Sequence, residues 1–193
     1  MFIRTERLLL RPGWAEDAGA LHRAIADERI VRNLARAPWP YAHHDAEAFL
    51  GVEPDASAPS LLIFRRTAAA PELVGGIGFE RHDDGDVEFG YWIARTHWGR
   101  GFASEAGRAI IAAAKDSLRV ERLHAGHFLD NPASGRVLEK LGFRPTGKTA
   151  LRYSAGRGES VPCRLFELDF AGEDAPQERE AADADCAVEM MAA

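Results

Sequence analysis

VEFGYWIARTHWGRGFASEAGRAIIAAA, residues 87–114, reads as a strand that runs into a glycine turn and out into a helix. Val87 to Ala94 is rich in β-branched and aromatic side chains. Gly99-Arg100-Gly101 interrupts it. From about Gly101 to Asp116 the apolar positions Ala103, Ala106, Gly107, Ile110 and Ala114 recur at helical spacing, with Ser104, Glu105, Arg108, Lys115 and Asp116 opposite. Unpaired N–H groups and the positive end of the helix dipole converge at such a turn. That suits a diphosphate, and a bare glycine backbone lets phosphate oxygens come close; Arg100 can add charge. The same spacing also fits a tight strand-to-helix connection whose glycines serve sterics alone. It does not fit the dinucleotide fingerprint, because Ser104 stands where the third glycine belongs and the preceding strand belongs to a hairpin.

The rest of the chain extends this unit in both directions. His82 to Asp86 carries an Asp-Gly turn signal, which pairs Leu73–Arg81 with Val87–Ala94 as a hairpin. Ile3–Arg11 and Leu61–Arg66 read as strands. Trp14–Ala26 reads as a helix with Leu21 and Ile25 on one face, and residues 27–50 as a second helical region broken by Pro38 and Pro40. Downstream come a strand near Arg122–Leu129, a helix over Pro132–Leu141, and strands near Phe143–Tyr153 and Val161–Phe170. The expected fold is α/β (α+β): a single domain over residues 1–170, with a mixed, mostly antiparallel sheet of six or seven strands flanked by helices.

Composition is ordinary for a globular chain of 193 residues, with 46% apolar and 28% charged residues. The net charge of −6 lies in an acidic, Ala-rich tail, residues 171–193, which takes seven of the 30 acids and one of the 24 bases. Residues 1–170 are therefore neutral, and no basic footprint for nucleic acid is expected. The tail has no aromatic residue and reads as a disordered, solvated extension; an interaction tail is the alternative. The longest apolar run, Ala109–Ala114, is too short to span a membrane. Arg4, Glu6 and Arg7 interrupt the N-terminus, so no secretory signal is expected. Cys163 and Cys186 form neither a disulfide framework nor metal-ligand spacing, which points to a cytoplasmic protein with no metal.

A second informative stretch is LDNPASGRVLEKLGF, residues 129–143. Asn131 before Pro132 is a good helix start, as N-cap and first residue. Ser134 shares a face with Val137, Leu138 and Leu141, so it either caps the helix or lines a site. GFRPTGKT, residues 142–149, matches the P-loop pattern letter for letter. That motif needs a strand before it and a helix after it; here the order is reversed, which makes nucleotide binding through Lys148 a remote alternative.

Together these segments resemble the GNAT superfamily of N-acetyltransferases, most closely the branch of ribosomal-protein N-terminal acetyltransferases. The resemblance covers roughly residues 3–170 and includes TERLLLRP, PWPY, VEFGYWIARTHWGRGFASEA, NPASGRVLEKLGF and the closing LFELDF. It implies a V-shaped splay in the sheet. The pantetheine arm of acetyl-CoA would lie beside Trp92 and Ile93, with Asn131 contacting it. The pyrophosphate would lie on the amides of Trp98, Gly99, Arg100, Gly101, Phe102, Ala103 and Ser104. Two positions depart from the family pattern: Thr96 stands where Gln or Arg usually precedes the glycines, and Leu138 where many members carry a tyrosine.

The resemblance further implies direct attack of a neutral primary amine on the thioester. Glu88 is the candidate base, through water, although a solvent-facing or ion-paired role fits it equally. His127 is a second candidate, with a structural histidine as the alternative, and backbone N–H groups near Tyr91–Ile93 would stabilise the oxyanion. Ser134 would serve the leaving thiolate. Trp39 and Tyr41 either line the acceptor pocket or are core aromatics. The acceptor class stays open between a protein N-terminus and a small-molecule amine, and a homodimer is compatible with the sequence. A non-catalytic acyl-CoA-binding module is the competing function.

Overall fold

The computed structural model describes residues 1–83, 85–117 and 120–170, so the acidic tail expected at 171–193 lies outside the described residues. Its strands are β1 (Ile3–Arg4), β2 (Leu8–Arg11), β3 (Ser60–Arg65), β4 (Glu72–Arg81), β5 (Val87–Ile93), β6 (Arg122–Phe128), β7 (Arg144–Ser154) and β8 (Glu159–Asp169). The helices are α1 (Ala18–Ile25), α2 (Glu28–Val31), α3 (His43–Leu50), α4 (Phe102–Ser117) and α5 (Pro132–Lys140). The strands form one sheet in the order β1-β2-β3-β4-β5-β6-β8-β7, antiparallel throughout except for β5 against β6.

The sheet has eight strands rather than six or seven, because Ile3–Arg11 is not one strand. Thr5 accepts a bond from the Leu8 N–H at 3.0 Å and turns the chain back on itself, so β1 and β2 pair antiparallel. The helical region at 27–50 is likewise two short helices, with Asp27 capping α2 through the Arg29 N–H at 2.9 Å. Around the P-loop-like letters, α5 precedes the segment and β7 takes up its residues from Arg144 onward, the reversed order expected from sequence.

Each face of the sheet carries a core. Leu8, Leu10, Ile63, Ile77, Phe89 and Leu123 pack with Ile110 of α4 and Leu138 of α5. Leu62 and Phe64 pack with Leu21, Ile25, Val31 and Tyr41 of the α1–α3 layer. Gly107 sets the spacing of α4 and α5: a Cβ there would lie 2.6 Å from Leu141 Cδ1. Burying an Ile110-sized side chain stabilises by about 2 kcal/mol, and these contacts hold the C-terminal half of α5 against the sheet and α4. One expectation about α4 is corrected. Ser104 is buried rather than exposed on the polar face, and sits in the first turn with Phe102 and Ala103.

Candidate active site

The pairing of β5 with β6 stops early. Only Glu88 with His124 and Phe89 with Ala125 are in register, although β5 continues to Ile93 and β6 to Phe128. Beyond that vertex the β6-facing edge of Gly90–Ile93 has no strand partner among the described residues. Backbone N–H and C=O groups are obligatory hydrogen-bonding groups, and an exposed strand edge is a template for another extended chain. The other edge of the same residues pairs with β4 through Trp92–Gly76 and Ile93–Gly75. Trp92 lies flat on Gly76, where a Cβ would meet the indole nitrogen at 2.5 Å.

β5 leads into the glycine turn. Gly99 and Gly101 have φ of 75° and 78°, the left-handed region where glycine is favoured. A Cβ at Gly99 would meet nothing within 4 Å, so the turn opens onto free space. Arg7 holds the Arg100 carbonyl at 3.0 Å. The first helical bond of α4 runs from the Glu105 N–H to the Gly101 carbonyl, so the N–H groups of Phe102, Ala103 and Ser104 have no carbonyl within the helix. Glu105 then fastens the helix to the β1–β2 turn through the Arg7 N–H at 2.9 Å and Arg7 Nε at 2.7 Å. Trp98 closes the end of β5, its Nε1 donating to the Ile93 carbonyl at 2.6 Å. The donor set and the open space together fit an anion at this turn.

The far wall of the opening is the start of α5. Asn131 Oδ1 accepts from the Ser134 N–H at 3.4 Å, the N-cap role, which leaves its NH₂ group without a partner among the described residues. Ser134 Oγ lies 2.9 Å from the Tyr91 hydroxyl of β5. Leu138 is buried in the core and brings no polar group to the opening.

Other expected site residues sit elsewhere. Both oxygens of Glu88 bond to Arg152 Nη1, one of them at 2.6 Å, and its second oxygen also meets His82 Nε2 at 3.0 Å. This is the ion-paired arrangement, with a half-exposed imidazole attached. His127 is 8% exposed, and its Nδ1–H donates to the Phe128 carbonyl at 2.8 Å. Its ring is tilted against that of Phe166, and Gly135 covers its Nε2 side. It packs α5 onto β6, the structural alternative. Tyr41 is also a core aromatic; burial, reinforced by the negative Asp45, pushes its hydroxyl up to about 12. Trp39 stays exposed on the connection between α2 and α3.

Tyr91, Arg152 and His82 were missed from sequence. Tyr91 and Arg152 alternate along their strands like any strand residue, and their partners are 43 and 64 positions away. His82 sits in a turn, six residues from Glu88, and nothing in the spacing marks it.

The family model for the acetyltransferase (GNAT) domain matches residues 7–144. This chain belongs to the GNAT acetyltransferase family. An N-acetyltransferase of Bacillus licheniformis, p20, itself uncharacterized, is 30% identical over 179 residues, which is 87% of this chain and 97% of that protein. Among solved structures, a GNAT-family acetyltransferase from Bacillus anthracis superposes with a TM-score of 0.75 at 24% identity, covering 88% of this chain and 98% of that one. RimL, a ribosomal L7/L12 alpha-N-protein acetyltransferase solved with coenzyme A, gives 0.71 at 18% identity, covering 88% and 98%. Both share the fold. Among the described residues of the GNAT chain, no group of three or more His, Cys, Asp or Glu is placed to hold a metal. Among the described residues, no helix is long and apolar enough to cross a membrane.

Proposed function

We propose that this GNAT chain is an N-acetyltransferase that moves the acetyl group of acetyl-CoA to a primary amine, in the cytoplasm. The observation that carries the reading is the unpaired edge of Gly90–Ile93 leading directly into the open turn at Gly99–Gly101. An extended arm with two amide groups can add to that edge, beside Trp92 and Ile93, while the pyrophosphate takes the N–H groups from Gly99 to Ser104. Arg100, exposed and unpaired among the described residues, adds charge, and the Asn131 NH₂ reaches the arm from the opposite wall.

The chemistry follows from that placement. The amine must first lose a proton. The Glu88–His82 pair takes it, directly or through water, while Arg152 fixes Glu88. The amine lone pair then forms the C–N bond, the C–S pair leaves on sulfur, the surplus N–H proton passes to solvent, and Ser134 Oγ–H hydrogen-bonds to that sulfur. Solvent returns the proton that makes the free thiol. The acceptor is an amine of a protein N-terminus, as named for RimL, or of a small molecule.

The test is thiol release from acetyl-CoA with a panel of N-terminal peptides and small amines. Amine-dependent release is expected, falling about a hundredfold in Ser134→Ala and about tenfold in Glu88→Gln, with acetyl-CoA affinity within twofold. Full activity in both variants contradicts the assignment. The Arg152 grip on Glu88 favours one competing reading, a non-catalytic acyl-CoA module. Tight binding without release on any amine would establish that alternative.

A further inference from the structure

Tyr91 stands in the stretch of β5 that β6 leaves unpaired, and its side chain points to the α4–α5 side, packed 5.8 Å from Phe89. Its hydroxyl crosses to the first turn of α5. There it lies 2.9 Å from Ser134 Oγ and 3.4 Å from the Ser134 carbonyl. A tyrosine hydroxyl carries one proton and can also accept; a serine hydroxyl does the same. If Tyr91 donates to Ser134 Oγ, the serine proton is released to point into the opening. If Tyr91 donates to the carbonyl instead, the serine proton is consumed in the bond between the two hydroxyls. The carbonyl distance is long and the hydroxyl distance is short, which favours the first arrangement.

We propose that Tyr91 is a positioning residue: by donating to Ser134 Oγ it aims the serine proton at the coenzyme sulfur. The inference rests on the acetyltransferase reading above and on Ser134 serving the thiolate. As Ser134 donates to sulfur, negative charge grows on Oγ, and the Tyr91 donor 2.9 Å away offsets it. Tyr91 keeps its own proton throughout. Burial, opposed only by the bond to Ser134, pushes its phenol up to about 12, so it remains a donor at neutral pH.

The experiment needs no acceptor. Coenzyme A is bound to the wild-type protein, to Tyr91→Phe, to Ser134→Ala and to the double variant. The thiolate absorbance of each complex is followed against pH, with the protein alone subtracted. A donor aimed at sulfur stabilises the thiolate and lowers the midpoint. Ser134→Ala is expected to raise it by about one pH unit and Tyr91→Phe by about half as much. The double variant is expected to match Ser134→Ala alone. A midpoint unmoved by Ser134→Ala overturns the role of Ser134. A midpoint moved by Ser134→Ala but not by Tyr91→Phe overturns that of Tyr91 alone, and so does an additive double variant. Failure of coenzyme A to bind overturns the acetyltransferase reading beneath both.

Discussion

The two walls of the opening are built in different ways. The β5 wall is local and made of backbone: an unpaired strand edge, two glycines of positive φ and the free N–H groups that start α4. The α5 wall is assembled from side chains distant in sequence, with Ser134 meeting Tyr91 and with Arg157 at the tip of the β7–β8 hairpin bonded to Asp130 just before α5. A ligand's invariant part is therefore best gripped by the first wall. The leaving sulfur at its reactive end is served by the second.

The largest effect should come from filling the local wall. Gly99→Val has room in the free protein, since nothing stands within 4 Å, so the chain should fold with only a few degrees lost to backbone strain. Its side chain would take the space of a phosphate oxygen, and acetyl-CoA affinity by calorimetry should fall about a hundredfold. Unchanged affinity would break the contrast between the walls.

Breaking the assembled wall should show first as lost stability. Arg157 donates to the Arg32 carbonyl at 2.6 Å, bonds Asp130 at 2.8 Å and lies over Phe128, with its side chain only 9% exposed. Arg157→Ala should cost about 2 kcal/mol, a fall in Tm of about 4–8 °C. Coenzyme affinity should stay within about threefold if the grip is on the β5 side.

Acid sharpens the comparison because each wall has a carboxylate held below its ordinary value. At Asp130 the Arg157 bond does this, outweighing burial. At Glu105 burial opposes it, but bonds from Thr5 and Arg7 prevail. A depressed folded value means stability that is present above the ordinary carboxylate range and lost as pH falls through the folded one. Tm should drop on going from about pH 5 to about pH 3, and less steeply in Glu105→Gln, which has no charge there to lose. An equally steep drop would remove Glu105 from the explanation. The smallest expected effect is His127→Leu: Tm lower by a few degrees, with turnover within about twofold because the ring lies in the core. Loss of turnover with Tm intact would restore it as a site residue.

This contrast also explains what could be read from sequence. Glycines, the helix period of α4 and the Asn131-Pro132 start are local signals, so the turn, the crossover and the cap were legible. Thr5 turning back β1 was not, because Ile3–Arg11 has the composition of a single strand. Ser104 was placed on the polar side by helical spacing, yet the first turn of α4 is covered on more than one side. Glu88 was readable as a candidate acid, but its Arg152 partner arrives from β7, across two intervening strands, and no pattern within either strand announces it.

Thermal unfolding with acetyl-CoA is the most direct measurement of the central claim, with ATP-Mg as the control for Lys148. At about a hundred times its dissociation constant, a ligand of the folded state stabilises by about 2.7 kcal/mol. A rise in Tm of about 5–10 °C with acetyl-CoA, cut to about 1 °C in Gly99→Val by a hundredfold loss of affinity and absent with ATP-Mg, is the expected result. No rise with acetyl-CoA, or an equal rise in Gly99→Val, would contradict a coenzyme held on the edge of β5 and the turn that follows it.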